Sequence, residues 1–429
     1  MDHASIAFSG QFWVAVAIFA ATYLIIITEK IHRTVVALAG AVIMVLVGVL
    51  HQEAAIAGVD FNTLGLLIGM MVIVNLSKGC GMYEAASIWA AKKAKGNPVA
   101  IFLLLGLMTA VFSAFLDNVT TVLLMVPVTL VIASNLKITP KPFLMSAILL
   151  SNIGGTATLI GDPPNILIGS AANLSFNQFL FNLSPISTVV AIVTLGMLYF
   201  IYRSVLHTTP EARAVIMGFN PREAISDWGL LIKSVFVIGL VILGFLTHSI
   251  THLDGATIAI AGAALLLILT RDEPEAHLHQ VEWTTIFFFI GLFIVVTGIE
   301  HVGAIAMLAD GVLKLTGDNM TLLTLSILWG SAFFSAIVDN IPFVATMIPL
   351  IKDLGASGMP MEPLWWALAL GADMGGNATI IGASANVIVS GIASREGHKI
   401  TFVEYMKTAI PITFVSIVIC TIYLYFRYL

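Results

Sequence analysis

The chain has 429 residues, of which 59% are hydrophobic and only 10% charged, with a mean hydropathy of +1.01. That balance excludes an ordinary soluble domain and gives several segments the roughly 17–25 apolar residues that cross a bilayer. The net charge of −5 carries little information by itself, because in a membrane protein the placement of Lys and Arg matters more than their sum.

Taken in order, spans are predicted near 11–28, 34–50 and 62–77, followed by an amphipathic stretch near 82–95. The run over 99–133 is split by Asp117-Asn118, and the run over 143–173 is interrupted by Gly154-Gly155 and Gly161-Asp162-Pro163-Pro164. Proline cannot donate to a helix ladder and clashes with the preceding turn, so the second run is a broken helix. A span near 185–203 closes this half. Residues 207–233, with Pro210, Pro221 and several charges, are the one composition shift and read as a cytoplasmic linker. The plan then repeats: spans near 234–250, 256–269 and 284–300, a connecting stretch over 303–316, a split run over 321–350, a broken helix over 364–393 and a last span near 408–426.

The repetition is internal homology. Asp117-Asn118 recurs 222 positions later as Asp339-Asn340, and Asn165 recurs 221 positions later as Asn386. Ala39-Gly40 matches Ala261-Gly262, Gly69 matches Gly291, Phe112-Ser113-Ala114 matches Phe334-Ser335-Ala336, and Pro127 matches Pro349. The expected architecture is an all-α polytopic membrane protein of two inverted-topology repeats, 1–206 and 234–429. Each has five transmembrane helices, one re-entrant hairpin (99–133 and 321–350) and one helix broken at the midplane (143–173 and 364–393). If each split run is a hairpin that does not cross, a half has five crossings, and an odd number inverts the second half. In that frame 16 of the 19 Lys and Arg fall on one face, which marks it as cytoplasmic and puts both termini outside. Counting each split run as two crossings leaves this sidedness unchanged, so charge alone does not separate hairpin from loop.

Polar groups at membrane depth are costly unless they line a site. Asp117 and Asp339 are the sharpest signal. As helix N-caps they would be structural; at a hairpin tip they would also bind a cation, or take up and release a proton as their surroundings alternate between wet and dry. Asp162 and Asp373 have no acidic counterpart and are each either a coupling group or a local cap. Asn118, Asn165, Asn340 and Asn386 supply donors and acceptors for a solute. Thr120, Thr121, Thr156, Thr158, Asn377, Thr379 and Ser384 extend the polar lining, although small polar residues also serve merely to join helices. The Gly-Gly segments lack the GxxxxGK[ST] pattern of a phosphate loop, so no nucleotide site is expected. Cys80 and Cys420 cannot form a soft metal site, no cofactor is called for, and no nucleic-acid partner is expected.

These motifs resemble the ion transporter superfamily, in particular its branch of arsenical pump membrane proteins and NhaD-type sodium–proton antiporters. The residues carrying the resemblance are Asp117-Asn118-Val119-Thr120-Thr121, Gly161-Asp162-Pro163-Pro164-Asn165, Val338-Asp339-Asn340-Ile341-Pro342 and Gly382-Ala383-Ser384-Ala385-Asn386. The resemblance implies ten spans, two re-entrant hairpins and elevator-like alternating access in a bacterial inner membrane. It also implies a homodimer and brings in a soluble ATPase subunit as a candidate partner. The expected activity is export of arsenite or antimonite coupled to protons, with sodium–proton antiport as the alternative; a membrane enzyme has no supporting motif. The acidic hairpin tips, where the dicarboxylate branch carries Ser-Asn-Thr, speak against a polycarboxylate. The inverted frame predicts that Lys137→Cys and Lys352→Cys, each in a Cys80→Ser, Cys420→Ser background, label from opposite sides of the membrane; labelling from one side would overturn it.

Overall fold

Helix boundaries in the computed structural model, which describes residues 10–28, 30–317 and 319–429, follow the polar residues that interrupt the apolar runs. The first nine residues of the expected first repeat lie outside the described ones. The helices of the first half are α1 (Gly10–Thr28), α2 (Arg33–Leu46), α3 (Gln52–Ala57), α4 (Phe61–Lys78), α5 (Met82–Lys93), α6 (Pro98–Phe115), α7 (Asn118–Asn135), α8 (Lys141–Gly155), α9 (Pro163–Ala172) and α10 (Phe176–Tyr202). After α11 (Pro210–Gly218) come α12 (Trp228–Leu246), α13 (His248–Thr251), α14 (Gly255–Thr270), α15 (Pro274–Leu278), α16 (Trp283–His301), α17 (Ala304–Thr316), α18 (Met320–Ser335), α19 (Asn340–Ala356), α20 (Met361–Gly375), α21 (Ser384–Arg395) and α22 (Phe402–Tyr428). No strand occurs among the described residues. Eight of these helices are long and apolar enough to cross a membrane. The chain is an all-helical polytopic membrane protein built from two inverted repeats.

Local chemistry sets each end. Asn97 caps α6 by accepting from Val99 N and Ala100 N, and its counterpart Asn319 caps α18 by accepting from Leu322 N. Asp227 accepts from Leu230 N at 3.0 Å and starts α12 at Trp228, so the expected linker over 207–233 gives way to helix several residues early. The linker also holds the short helix α11, capped by Thr209. At about 1.5 Å per residue the 14-residue α2 spans about 21 Å, thinner than a ~30 Å hydrocarbon core.

The repeat relation is visible in the packing. Helix α4 packs on α14, and α2 packs on α16, so the halves exchange equivalent elements. At the first seam a Cβ on Gly69 would lie 2.6 Å from the Ala259 carbonyl carbon; at the second a Cβ on Gly291 would lie 2.6 Å from that of Ala37. Gly291 and Ala259 stand 222 positions after Gly69 and Ala37. Only glycine lets these backbones approach so closely, the small-residue packing that joins helices where no hydrophobic effect separates them from lipid. Within each half, α6 packs on α8 and α18 on α20, again over a glycine: Gly154 against the Ala110 backbone and Gly375 against that of Ala332.

Both seams are therefore sensitive to a single methyl. Gly69→Ala and Gly291→Ala are each expected to destabilise the fold by about 1–3 kcal/mol through forced separation of backbones. Gly196→Ala, with nothing within 4 Å of the added Cβ, should be neutral or stabilising by up to about 1 kcal/mol. Thermal unfolding in detergent measures both.

Candidate functional site

The two helix breaks are built alike. Where α8 ends at Gly155 and α9 begins at Pro163, the chain folds back so tightly that a Cβ on Gly161 would lie 2.5 Å from both the Gly155 and the Ser113 carbonyl oxygens. The second break, between α20 and α21, brings Gly382 as close to the Gly376 carbonyl, at 2.5 Å. Backbone carbonyls at each break, and on the helices packed against it, meet side-chain donors at paired positions. Ser113 Oγ donates to Ser151 O and Ser335 Oγ to Ala372 O, both at 2.6 Å. Thr158 Oγ1 donates to Ala114 O, as Thr379 Oγ1 does to Ala336 O. Asn165 Nδ2 faces the carbonyls of Gly155, Thr156 and Thr158, and Asn386 Nδ2 those of Gly376 and Thr379. Thr156 Oγ1 donates to Asn152 O. Of the polar lining expected from sequence, Thr156, Thr158 and Thr379 and the amide nitrogens of Asn165 and Asn386 thus hold the breaks in shape.

The hairpin tips meet the breaks. Asp117 is the N-cap of α7, accepting from Thr120 N at 2.8 Å and from the Thr120 hydroxyl; Asp339 caps α19, accepting from Ile341 N at 3.1 Å. Asn118 Nδ2 donates to Asn152 Oδ1 at 3.0 Å and to Asp162 Oδ2 at 2.9 Å. Asp162 precedes α9 but gives its carboxylate to Asn118 rather than to its own helix, and Asp373 lies inside α20, so neither is a local cap. Asp117, Asn118, Asp162, Asn340 and Ser384 line one small cavity between the halves. Buried polar atoms with no hydrogen-bond partner among the described residues include Asp162 Oδ1 and Asn340 Nδ2 in its lining, and Thr121 Oγ1, Asn165 Oδ1 and both carboxyl oxygens of Asp373 on the helices that form the tips and breaks. Such groups are rare in a folded interior and point to a site that something else completes.

Two residues that sequence reasoning left out are central. Arg33, counted among the charges of the cytoplasmic face, reaches Asp339 Oδ2 at 2.7 Å and Ser384 Oγ at 3.0 Å, while Ser384 Oγ also donates to Asp339 Oδ2 at 3.0 Å. Its guanidinium stands 5.0 Å from the centroid of the Phe288 ring. Arg33 and Ser384 line both the small cavity and a wider groove, which also takes in Asp339, His32, Ile337 and Val387. Asn152, buried in α8, takes Asn118 on its oxygen and gives its Nδ2 to Asn377 Oδ1 at 2.8 Å and Asn386 Oδ1 at 2.9 Å, which ties the two halves together. The sequence held a signal for it, since Asn152 stands 221 positions before Asp373. Nothing local marked Arg33, whose partner is 306 residues away. Glu282 also faces the cavity, accepting from Thr285 Oγ1.

Two inverted repeats enclosing broken helices and a polar cavity define an integral membrane transporter. The profile of the CitMHS family, described as "Citrate transporter", matches residues 23–371, and the chain belongs to that family. It is 43% identical over 424 residues to the 46 kDa membrane protein of Mycobacterium leprae, covering 97% of this chain and 99% of that one. An uncharacterized transporter of Mycobacterium tuberculosis is 43% identical over 97% of this chain and 98% of its own length. The P protein of Homo sapiens is 33% identical over 497 residues, covering 96% of this chain and 59% of the human one. The crystal structure of the Alcanivorax borkumensis YdaH transporter shares the fold, with a TM-score of 0.58 at 14% identity over 97% of this chain and 98% of that one.

The Arg33–Asp339 pair yields a test. Asp339→Asn and Arg33→Leu should each lower coupled transport at least tenfold, about 1.4 kcal/mol, with the protein still inserted. Asp117→Asn should impair it less, and the Arg33→Leu/Asp339→Asn double variant should recover more than either single. Proton movement in membrane vesicles reads the effect; wild-type movement in all of them would remove the tips from the coupling step.

Proposed function

We propose that this transporter is a secondary active exporter of arsenite or antimonite, driven by proton influx through an elevator-like movement of the broken helices and hairpins. The observation that carries this reading is the mixture of unpartnered groups at the cavity: in its lining Asn340 Nδ2 is a donor and Asp162 Oδ1 an acceptor, and Thr121 Oγ1, in the first turn of α7 beside the lining residue Asn118, is both. A neutral hydroxide of arsenic or antimony both donates and accepts, and so complements such a lining without needing a fixed cation. Citrate would bring negative charge against the carboxyl groups of Asp117, Asp162 and Glu282 in the cavity lining, with Arg33 as the cation there and that one already paired to Asp339. Citrate is therefore not the solute proposed for this chain. Sodium–proton antiport is the second reading, favoured by the carboxyl groups of Asp117, Asp162 and Glu282 in the cavity lining, which would suit a bare cation.

In this reading both termini lie outside a bacterial inner membrane, the repeats run over 1–206 and 234–429, and a homodimer or a soluble ATPase subunit are further partners to be sought. Everted vesicles loaded with a pH indicator decide the solute. Arsenite or antimonite added to energised vesicles should dissipate the pH gradient as solute accumulates, and sodium should not. A response to sodium with none to arsenite would replace the first reading by the second.

A further inference from the structure

The two breaks share Gly154-Gly155, Thr158, Gly161 and Asn165 with Gly375-Gly376, Thr379, Gly382 and Asn386, and one of the positions at which they differ leaves a proton to be placed. Positions 152, 156 and 165 correspond, 221 residues on, to 373, 377 and 386. In one half Asn386 has spent its Nδ2 on the Gly376 and Thr379 carbonyls, and its Oδ1 is satisfied from across the molecule by Asn152 Nδ2 at 2.9 Å. In the other half Asn165 has likewise spent its Nδ2 on backbone carbonyls. Its Oδ1 is buried with no donor among the described residues. The residue that stands where Asn152 would is Asp373, wholly buried, with neither oxygen partnered among the described residues. Helix α20, which carries Asp373, packs on α9, which carries Asn165, as α8 packs on α21 in the mirrored pair. Thr156, the counterpart of Asn377, lies beside Asp373, but its hydroxyl proton goes to Asn152 O at 2.8 Å.

An ionised carboxylate only accepts, and an amide oxygen only accepts. Two such groups set against each other, as the mirrored Asn152 and Asn386 are, would have no bond to make. No nearby cation resolves this. Asp162 faces Asp373, and Asp162 in turn faces Asp117 and Asp339, the last already held by Arg33. From α22, Tyr405 donates its hydroxyl to Asn377 O at 2.9 Å. A protonated carboxyl group, by contrast, donates through its O–H where Asn152 donates through its N–H.

We propose that Asp373 is held as a neutral carboxylic acid donating to Asn165 Oδ1, and that this proton is the one the transport cycle exchanges. When the site opens to water the O–H bond breaks, the proton passes to water, and the carboxylate keeps the electron pair. The Asp373–Asn165 contact then becomes acceptor against acceptor, and the two broken helices lose their link on one side while the Asn152–Asn386 link persists on the other. The role in the cycle rests on the proton-coupled reading above; the bond itself does not.

The test is an infrared difference spectrum of the full-length protein in lipid as pH is raised, together with proton flux in vesicles. Wild type should show the carbonyl-stretch band of a buried protonated carboxyl group that disappears with rising pH. Asp373→Asn should fold, since its amide can donate to Asn165 as Asn152 does to Asn386, should lack that band, and should lose coupled proton flux at least tenfold. Asn152→Asp should gain a second band of the same kind, and this arm stands even where Asp373→Asn does not fold. An unchanged band in Asp373→Asn, no added band in Asn152→Asp, or a band removed by sodium chloride at constant pH would overturn the proposal. Loss of the band with no response of any vesicle to arsenite would leave the acid in place and reject the solute instead.

Discussion

A backbone carbonyl freed inside a membrane must find a donor in the protein, and this constraint organises the whole chain. Each half breaks one helix, and Asn165 and Asn386 meet carbonyls released there, while Ser113 and Ser335 bond the broken helix and Thr158 and Thr379 the end of the hairpin helix beside it. Satisfying the breaks leaves some polar atoms over. Those leftovers, gathered with the hairpin caps between the halves, are what make a site.

The seams around that site differ in kind. Where α4 meets α14 and α2 meets α16, backbones touch over Gly69 and Gly291 with little room for change. Where the hairpins and broken helices meet, the contacts are hydrogen bonds and one ion pair, which can be exchanged for water or solute at small net cost. A dry seam of small residues beside a polar, exchangeable one is the division of labour that a moving part on a fixed frame requires.

Much of this was legible in the sequence because the repeat offset carries through every element. Gly69 and Gly291, Pro127 and Pro349, and the Asp-Asn tips all announced themselves at 222 positions, and Gly pairs marked both breaks, with Pro163-Pro164 at the first. What stayed hidden was tertiary. Arg33 opens α2 next to His32, and by position it reads as one more interfacial charge; its pairing with Asp339 exists only because the second hairpin comes back to meet the first half. Asn152 sits in an apolar run, Leu149-Leu150-Ser151-Asn152-Ile153, with nothing local to set it apart. The many roles of the Asn residues were blurred for a physical reason: an amide offers both a donor and an acceptor, and sequence does not tell which end the backbone consumes.

The link from Asn152 to Asn377 and Asn386 also bears on biogenesis. Asn152 emerges from the ribosome more than two hundred residues before the acceptors that its Nδ2 serves. Until residue 386 has been inserted, the first broken helix carries an amide with donors to spare and Asn118 as its partner within its own half. The first half therefore enters the membrane with its core unfinished, and the second half completes it. A first half without its partner leaves the Asn152 Nδ2 open to water, so completing that polar core is work done by the second half.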